Sequence, residues 1–141
     1  MQTKKGFTLI ELLVVIAIIG VLAAVVLVAI NPAERLAQAR DSGRKSDVGQ
    51  IATALEAYFT TSTDAEYPAI LDNLTVADLK RLPTDPTGGS YGYQGGGSDT
   101  VALHATMESD AEAAKGVTYC WRSETGAFTN EAATTGAGCT P

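Results

Sequence analysis

The sequence predicts an α+β fold in which a long amino-terminal hydrophobic helix continues into a head and packs on a small antiparallel β-meander. Three observations carry this expectation. Leu12–Ile30 is a run of 19 residues without a charge. Val48, Ile51, Leu55 and Tyr58 then recur at intervals of three and four, the stripe of an amphipathic helix. Beyond residue 90 the apolar period shortens to two, as in half-buried strands.

At about 1.5 Å per residue the uncharged run makes a helix of roughly 28 Å, close to the ~30 Å hydrocarbon thickness of a bilayer. Backbone polar groups in lipid must be satisfied internally, so the run is helical there although Val and Ile are weak helix formers in water. Glu11 sits near the start of this apolar stretch. A charge at a bilayer centre costs roughly 2.5–3.5 kcal/mol on insertion scales, so such a residue is expected to have a task and a partner. Gly20 and Pro32 are the weak points for helix, through glycine's low helix propensity and a lost backbone donor.

Asn31-Pro32 punctuates the helix, and Ala33–Phe59 is helical again. The stripe lapses over Gln38–Asp47, which is polar nearly all round. This section is expected to face solvent in a lone domain or neighbouring copies in an assembly. Thr60–Pro68 ends the helix in turn-forming residues. Leu74–Pro83, with Thr75 and Asp78 at capping-box-like spacing, predicts a short helix, and Thr84–Gly89 a turn. Strands are predicted at Tyr91–Gln94, Thr100–Thr106, Val117–Ser123 and Ala127–Asn130, with Glu124–Gly126 turning the third into the fourth.

The 141 residues leave room for one small head after the apolar segment. Charge is unevenly placed. Asn31–Ser46 carries four basic residues (Arg35, Arg40, Arg44, Lys45) against two acidic ones, a net of +2; Asp47–Pro141 carries four against thirteen, a net of −9. An acidic head is a poor nonspecific nucleic-acid binder, because phosphates require clustered Lys and Arg. Cys120 and Cys139, the only cysteines, suggest one disulfide closing a loop, the alternative being two free thiols. His104 is the only histidine and is expected on an outward strand face. No nucleophile–His arrangement and no phosphate loop is present, and zinc lacks ligands. No enzyme, cofactor or metal site is expected.

A cleavable secretory signal has a shorter apolar core, and a plain signal anchor leaves Glu11 unexplained. The string "KKGFTLIELLVVIAIIGVLAAVV", Lys4–Val26, resembles the class III signal of type IV pilins and pseudopilins. The resemblance implies that prepilin peptidase cuts after Gly6 and methylates the new amino terminus at Phe7. Residues 1–6 are then a removed leader, 7–30 a transmembrane and filament-core helix, 31–60 its amphipathic continuation, and 61–141 the head. Glu11 becomes the fifth mature residue, where the family has its glutamate for assembly. The pattern "YP…LP.DP…Y.Y" from Tyr67 to Tyr93 is similar to the family's helix-to-sheet connection.

The same resemblance implies a structural subunit of a type IV pilus-like filament, most simply its major pilin. The alternatives are a major pseudopilin of a type II secretion system and a subunit of a DNA-uptake pilus. Family pseudopilins often carry a carboxy-terminal calcium loop, for which only Glu124 and Glu131 are available here. The implied partners are copies of the chain in a helical homopolymer, prepilin peptidase, an inner-membrane assembly platform and, before assembly, lipid. The implied location is a single-pass membrane protein with a cytoplasmic amino terminus, then an extracellular filament.

Overall fold

The computed structural model describes residues 6–74, 79–109, 113, 116–132 and 139–141. The chain divides into two compact units, one ending at Arg35 and one running from Leu36 to Pro141.

In the first unit, helix α1 spans Leu9–Ile30. Thr8 is its N-cap, in extended conformation (φ −85°, ψ 150°), and Asn31 ends it in the left-handed region (φ 45°, ψ 78°), a conformation asparagine adopts more readily than most residues. The helix is continuous through Gly20. None of its residues is buried, and by length and composition it can cross a membrane. Helix α2, Pro32–Thr61, begins at the residue after Asn31, with proline at the first helical position where its missing N–H costs nothing.

In the second unit, strands β1 (Gly92–Gln94), β2 (Ala102–Thr106), β3 (Val117–Arg122) and β4 (Ala127–Ala132) form an antiparallel meander in the order β1-β2-β3-β4. The register pairs Gly92 with His104, Leu103 with Trp121, and Trp121 with Phe128. Each predicted strand is thus found, with one end of each moved by one or two residues. Alternation then sends Leu103, Ala105, Val117 and Trp121 into one core with Val48, Ile51, Ala52 and Leu55 of α2. Complete burial of such side chains stabilises by about 1.5–3 kcal/mol each.

The polar section of α2 departs from expectation. The buried face runs Ala37, Asp41, Arg44, Val48, Ile51 and Leu55, so the stripe does not lapse but becomes charged. Asp41 and Arg44 neutralise each other and other buried groups, which permits the same face to continue inward.

The connection from α2 to β1 is held by tyrosines. The Tyr67 N–H donates to the Ser98 carbonyl at 2.9 Å, and the Gly97 N–H to the Tyr67 carbonyl at 3.2 Å. Tyr67 also stacks on Phe59 with centroids 4.6 Å apart. Tyr93 donates to the Pro68 carbonyl at 2.7 Å, and Tyr91 to Asp47 at 2.6 Å. A 3-10 turn at Leu71–Asn73 lies in this connection. The Thr75–Asp78 core of the predicted short helix lies outside the described residues, and residues 79–83 are not helical.

On the sheet face away from α2, Cys120 is bonded to Cys139, with Cα atoms 5.8 Å apart. The pair is buried with Ala102. The Arg122 Nε donates to the Thr140 carbonyl at 2.8 Å, so the end of the chain lies along β3. His104 shares this outer face but is half-buried rather than a free surface residue. Gly92 stands opposite it without a side chain, and a Cβ there would overlap the His104 ring. The imidazole fills that space, and its buried Nδ1 has no partner among the described residues.

Candidate functional site

The elements that carry the sequence-derived site residues are α1 and the segment leading into it. Gly6 and Phe7 precede the helix, and Phe7 is 79% exposed. Thr8 and Glu11 close a reciprocal capping box. The Thr8 N–H and hydroxyl donate to Glu11 Oε2 at 2.9 and 2.7 Å, and the Glu11 N–H donates to the Thr8 hydroxyl oxygen at 3.3 Å. A carboxylate at this end also opposes the positive end of the helix dipole. Thr8 is the partner that sequence reasoning missed, although the Thr-x-x-Glu spacing is visible in the chain.

Gly20 and Pro32 lie apart from this group. No neighbouring atom stands near the Cβ position of Gly20, and Pro32 follows the left-handed Asn31. The helix therefore offers a continuous apolar surface without internal cover and one polar feature at its head. That arrangement suits immersion in lipid or packing against other apolar helices. It has no group placed for catalysis.

The second charged centre is in the head. Arg44, 2% exposed, is held by three carboxylates. It donates to Asp41 Oδ1 at 2.8 Å, to Asp85 Oδ2 and Oδ1 at 2.6 and 3.0 Å, and to Glu108 Oε1. Arg40 joins Glu108 at 2.7 Å. Asp41 also accepts the backbone N–H groups of Glu108 and Ser109 at 2.8 and 2.9 Å. The Arg44 guanidinium holds the Asp85 carboxyl far below the usual carboxylate range, and that of Glu108 below it too. Burial alone would raise Asp41, but its bonds from Ser109, Glu108 and Arg44 together lower it.

This centre fixes α2, the turn after Asp85 and the segment after β2 to one point, which is a structural role. Sequence reasoning gives these basic residues to solvent or to a neighbour; Arg44 is instead neutralised inside the head, while Arg40 pairs with Glu108 at the surface. Among the described residues no three His, Cys, Asp or Glu side chains gather as a metal site.

A family model described as the prokaryotic N-terminal methylation motif matches residues 1–27. The chain is 35% identical over 116 residues to the type IV major fimbrial protein FimA of Dichelobacter nodosus, covering 80% of this chain and 72% of that protein. It is 33% identical over 109 residues to type II secretion system core protein G of Pseudomonas aeruginosa, covering 65% of this chain and 74% of that one. No solved structure matches the chain. With its apolar amino-terminal helix, the four-stranded antiparallel head and these relatives, the chain belongs to the type IV pilin and pseudopilin family of structural, non-enzymatic subunits.

Proposed function

We propose that this chain is the major subunit of a type IV pilus-like filament. Its leader is removed after Gly6, Phe7 is N-methylated, and α1 serves first as membrane anchor and then as filament core. The observation that carries the reading is α1 itself, 22 residues with none buried in the subunit. Such a surface requires a second apolar phase, and copies of the same helix supply one. The implied processing enzyme is prepilin peptidase, and the implied exit route is an inner-membrane assembly platform, with the amino terminus starting on the cytoplasmic side.

In the filament, Glu11 of an incoming subunit meets the Phe7 amine of its neighbour. A buried carboxylate and a buried amine each need such a partner, and the pair sets the axial stagger between subunits.

The resemblance to core protein G supports a second reading, a pseudopilin of a type II secretion system. Electron microscopy and mass spectrometry of sheared surface material decide between the two. Long filaments containing subunits that begin at methylated Phe7 support the pilus. Processed subunits confined to membranes, with no surface filament, support the pseudopilin. Subunits that retain Met1 in filaments overturn the processing assignment.

A further inference from the structure

We propose that the head carries both halves of a head-to-tail contact, in which Phe128 of one copy enters an apolar cleft beside β1 of the next. The proposal rests on the reading of the chain as a filament subunit and names where its heads meet.

The cleft has a volume of about 460 Å³ and is lined chiefly by Ile70, Leu71, Leu82, Pro83, Tyr91 and Tyr93. Ile70, at its mouth, is 54% exposed. Phe128 lies on β4, the opposite edge strand, and is 45% exposed. Its ring is stacked on Tyr119 with centroids 5.8 Å apart and planes 15° from parallel. The stacking holds the ring in place, so docking costs little side-chain entropy.

Because β1 and β4 are opposite edges of one sheet, a single head cannot seat its own Phe128. Two different surfaces in contact form a heterologous interface, and repeating such an interface without closure generates a helical filament.

Charge selects a second copy as the occupant. Lys80 and Arg81 directly precede the cleft residue Leu82 and are exposed, without a partner among the described residues; Asp72 is the acidic group in the lining. On the Phe128 side, Glu124 is exposed in the β3–β4 turn. Among the described residues the cations there are Lys45, over the Tyr119 ring, and Arg122, already bound to Glu131. Docking Phe128 thus brings Glu124 toward Lys80 and Arg81, an arrangement that favours register and correct partnering.

The test is oxidative cross-linking in intact sheared filaments of full-length Ile70→Cys/Phe128→Cys subunits. A ladder of dimers, trimers and higher species is expected from the double variant and none from either single variant. Filaments at normal yield without a ladder overturn the contact while leaving the filament reading in place. Dimers from Ile70→Cys alone indicate a symmetric contact and also overturn it. An absence of filaments from the unsubstituted chain rejects the underlying reading instead. If the double variant does not assemble, charge exchange decides: Glu124→Lys is expected to lower filament yield roughly tenfold, about 1.4 kcal/mol. Adding Arg81→Glu should restore the yield, and no restoration overturns the proposal.

Discussion

Thr8 gives both its backbone N–H and its hydroxyl to one carboxylate oxygen of Glu11, at 2.9 and 2.7 Å. The single subunit therefore already satisfies the carboxylate in part, before any neighbour is present. Glu11→Val is expected to leave insertion and leader cleavage largely intact while greatly reducing filaments, since removing one partner of a buried pair costs about 3–5 kcal/mol. Thr8→Val removes only the cap, about 0.5–2 kcal/mol, and should fall between Glu11→Val and the parent. The check is an immunoblot of processed subunit beside a count of sheared filaments. Normal filament yield from Glu11→Val would sink the assembly role.

Arg44→Met should destabilise the head by about 3–5 kcal/mol, because it leaves Asp41 and Asp85 without a cation and Glu108 with Arg40 alone. Arg44→Lys keeps the charge but lacks the planar fork, and should lose less. Trp121, buried and the only tryptophan, reports unfolding by fluorescence in a urea titration of detergent-solubilised subunit. Equal midpoints for Arg44→Met and the parent would show that the cluster contributes nothing.

Acid should weaken the head in two stages. Burial pushes the His104 imidazole below its ordinary value. The unfolded chain then binds the proton more readily, and stability falls as pH drops below about 6.5. Asp85 and Glu108 are depressed chiefly by their bonds from Arg44, and Asp41 by the bonds that outweigh its burial. Their contribution is present above the unfolded values near pH 4 and is lost as pH falls through the folded ones. His104→Gln should abolish the first stage and leave the second. A parent profile flat between pH 7 and 5 would refute the histidine part.

Cys139→Ser should lower the urea midpoint. The two cysteines are 19 residues apart, and closing a loop of that size is worth about 3 kcal/mol in the chain-entropy account. A subunit equally stable with and without dithiothreitol would show that Arg122–Thr140 and the packing around Ala102 hold the tail alone.

In the assembled filament, helix should be lost first between Gly20 and Pro32. A glycine costs about 1 kcal/mol relative to alanine in a helix, and the left-handed Asn31 already interrupts the helix just before Pro32. In the single subunit α1 is continuous through Gly20 and stops at Asn31. A filament map with unbroken helical density from Phe7 through Phe59 would exclude the melting.

Local pattern makes much of this fold legible. The extent of α1 comes from an uncharged run and its Asn31-Pro32 stop, and the four strands and the Val48–Leu55 stripe from periods of 2 and 3.6, all of which depend only on near neighbours in sequence. The Arg44 centre is not legible, for the opposite reason. Its partners Asp85 and Glu108 lie 41 and 64 residues away, and only the folded connection brings them to α2. His104 fails similarly. Alternation puts it on the correct face, but its burial depends on a glycine twelve residues earlier falling opposite it in the register. At the amino-terminal site, resemblance names Glu11, while Thr8 needs only the capping spacing to be found.

The unburied surface of α1 has a kinetic consequence. Exposing even one large apolar side chain that had been fully buried costs about 1.5–3 kcal/mol, and this helix carries many. A subunit therefore has no aqueous intermediate: it passes from lipid to polymer, or back, only where the two touch. A polymer built through this helix must lengthen at its membrane end, where the bilayer acts as a two-dimensional reservoir of subunits. Any subunit that leaves that end returns to the same reservoir, because water offers its apolar helix no comparable environment.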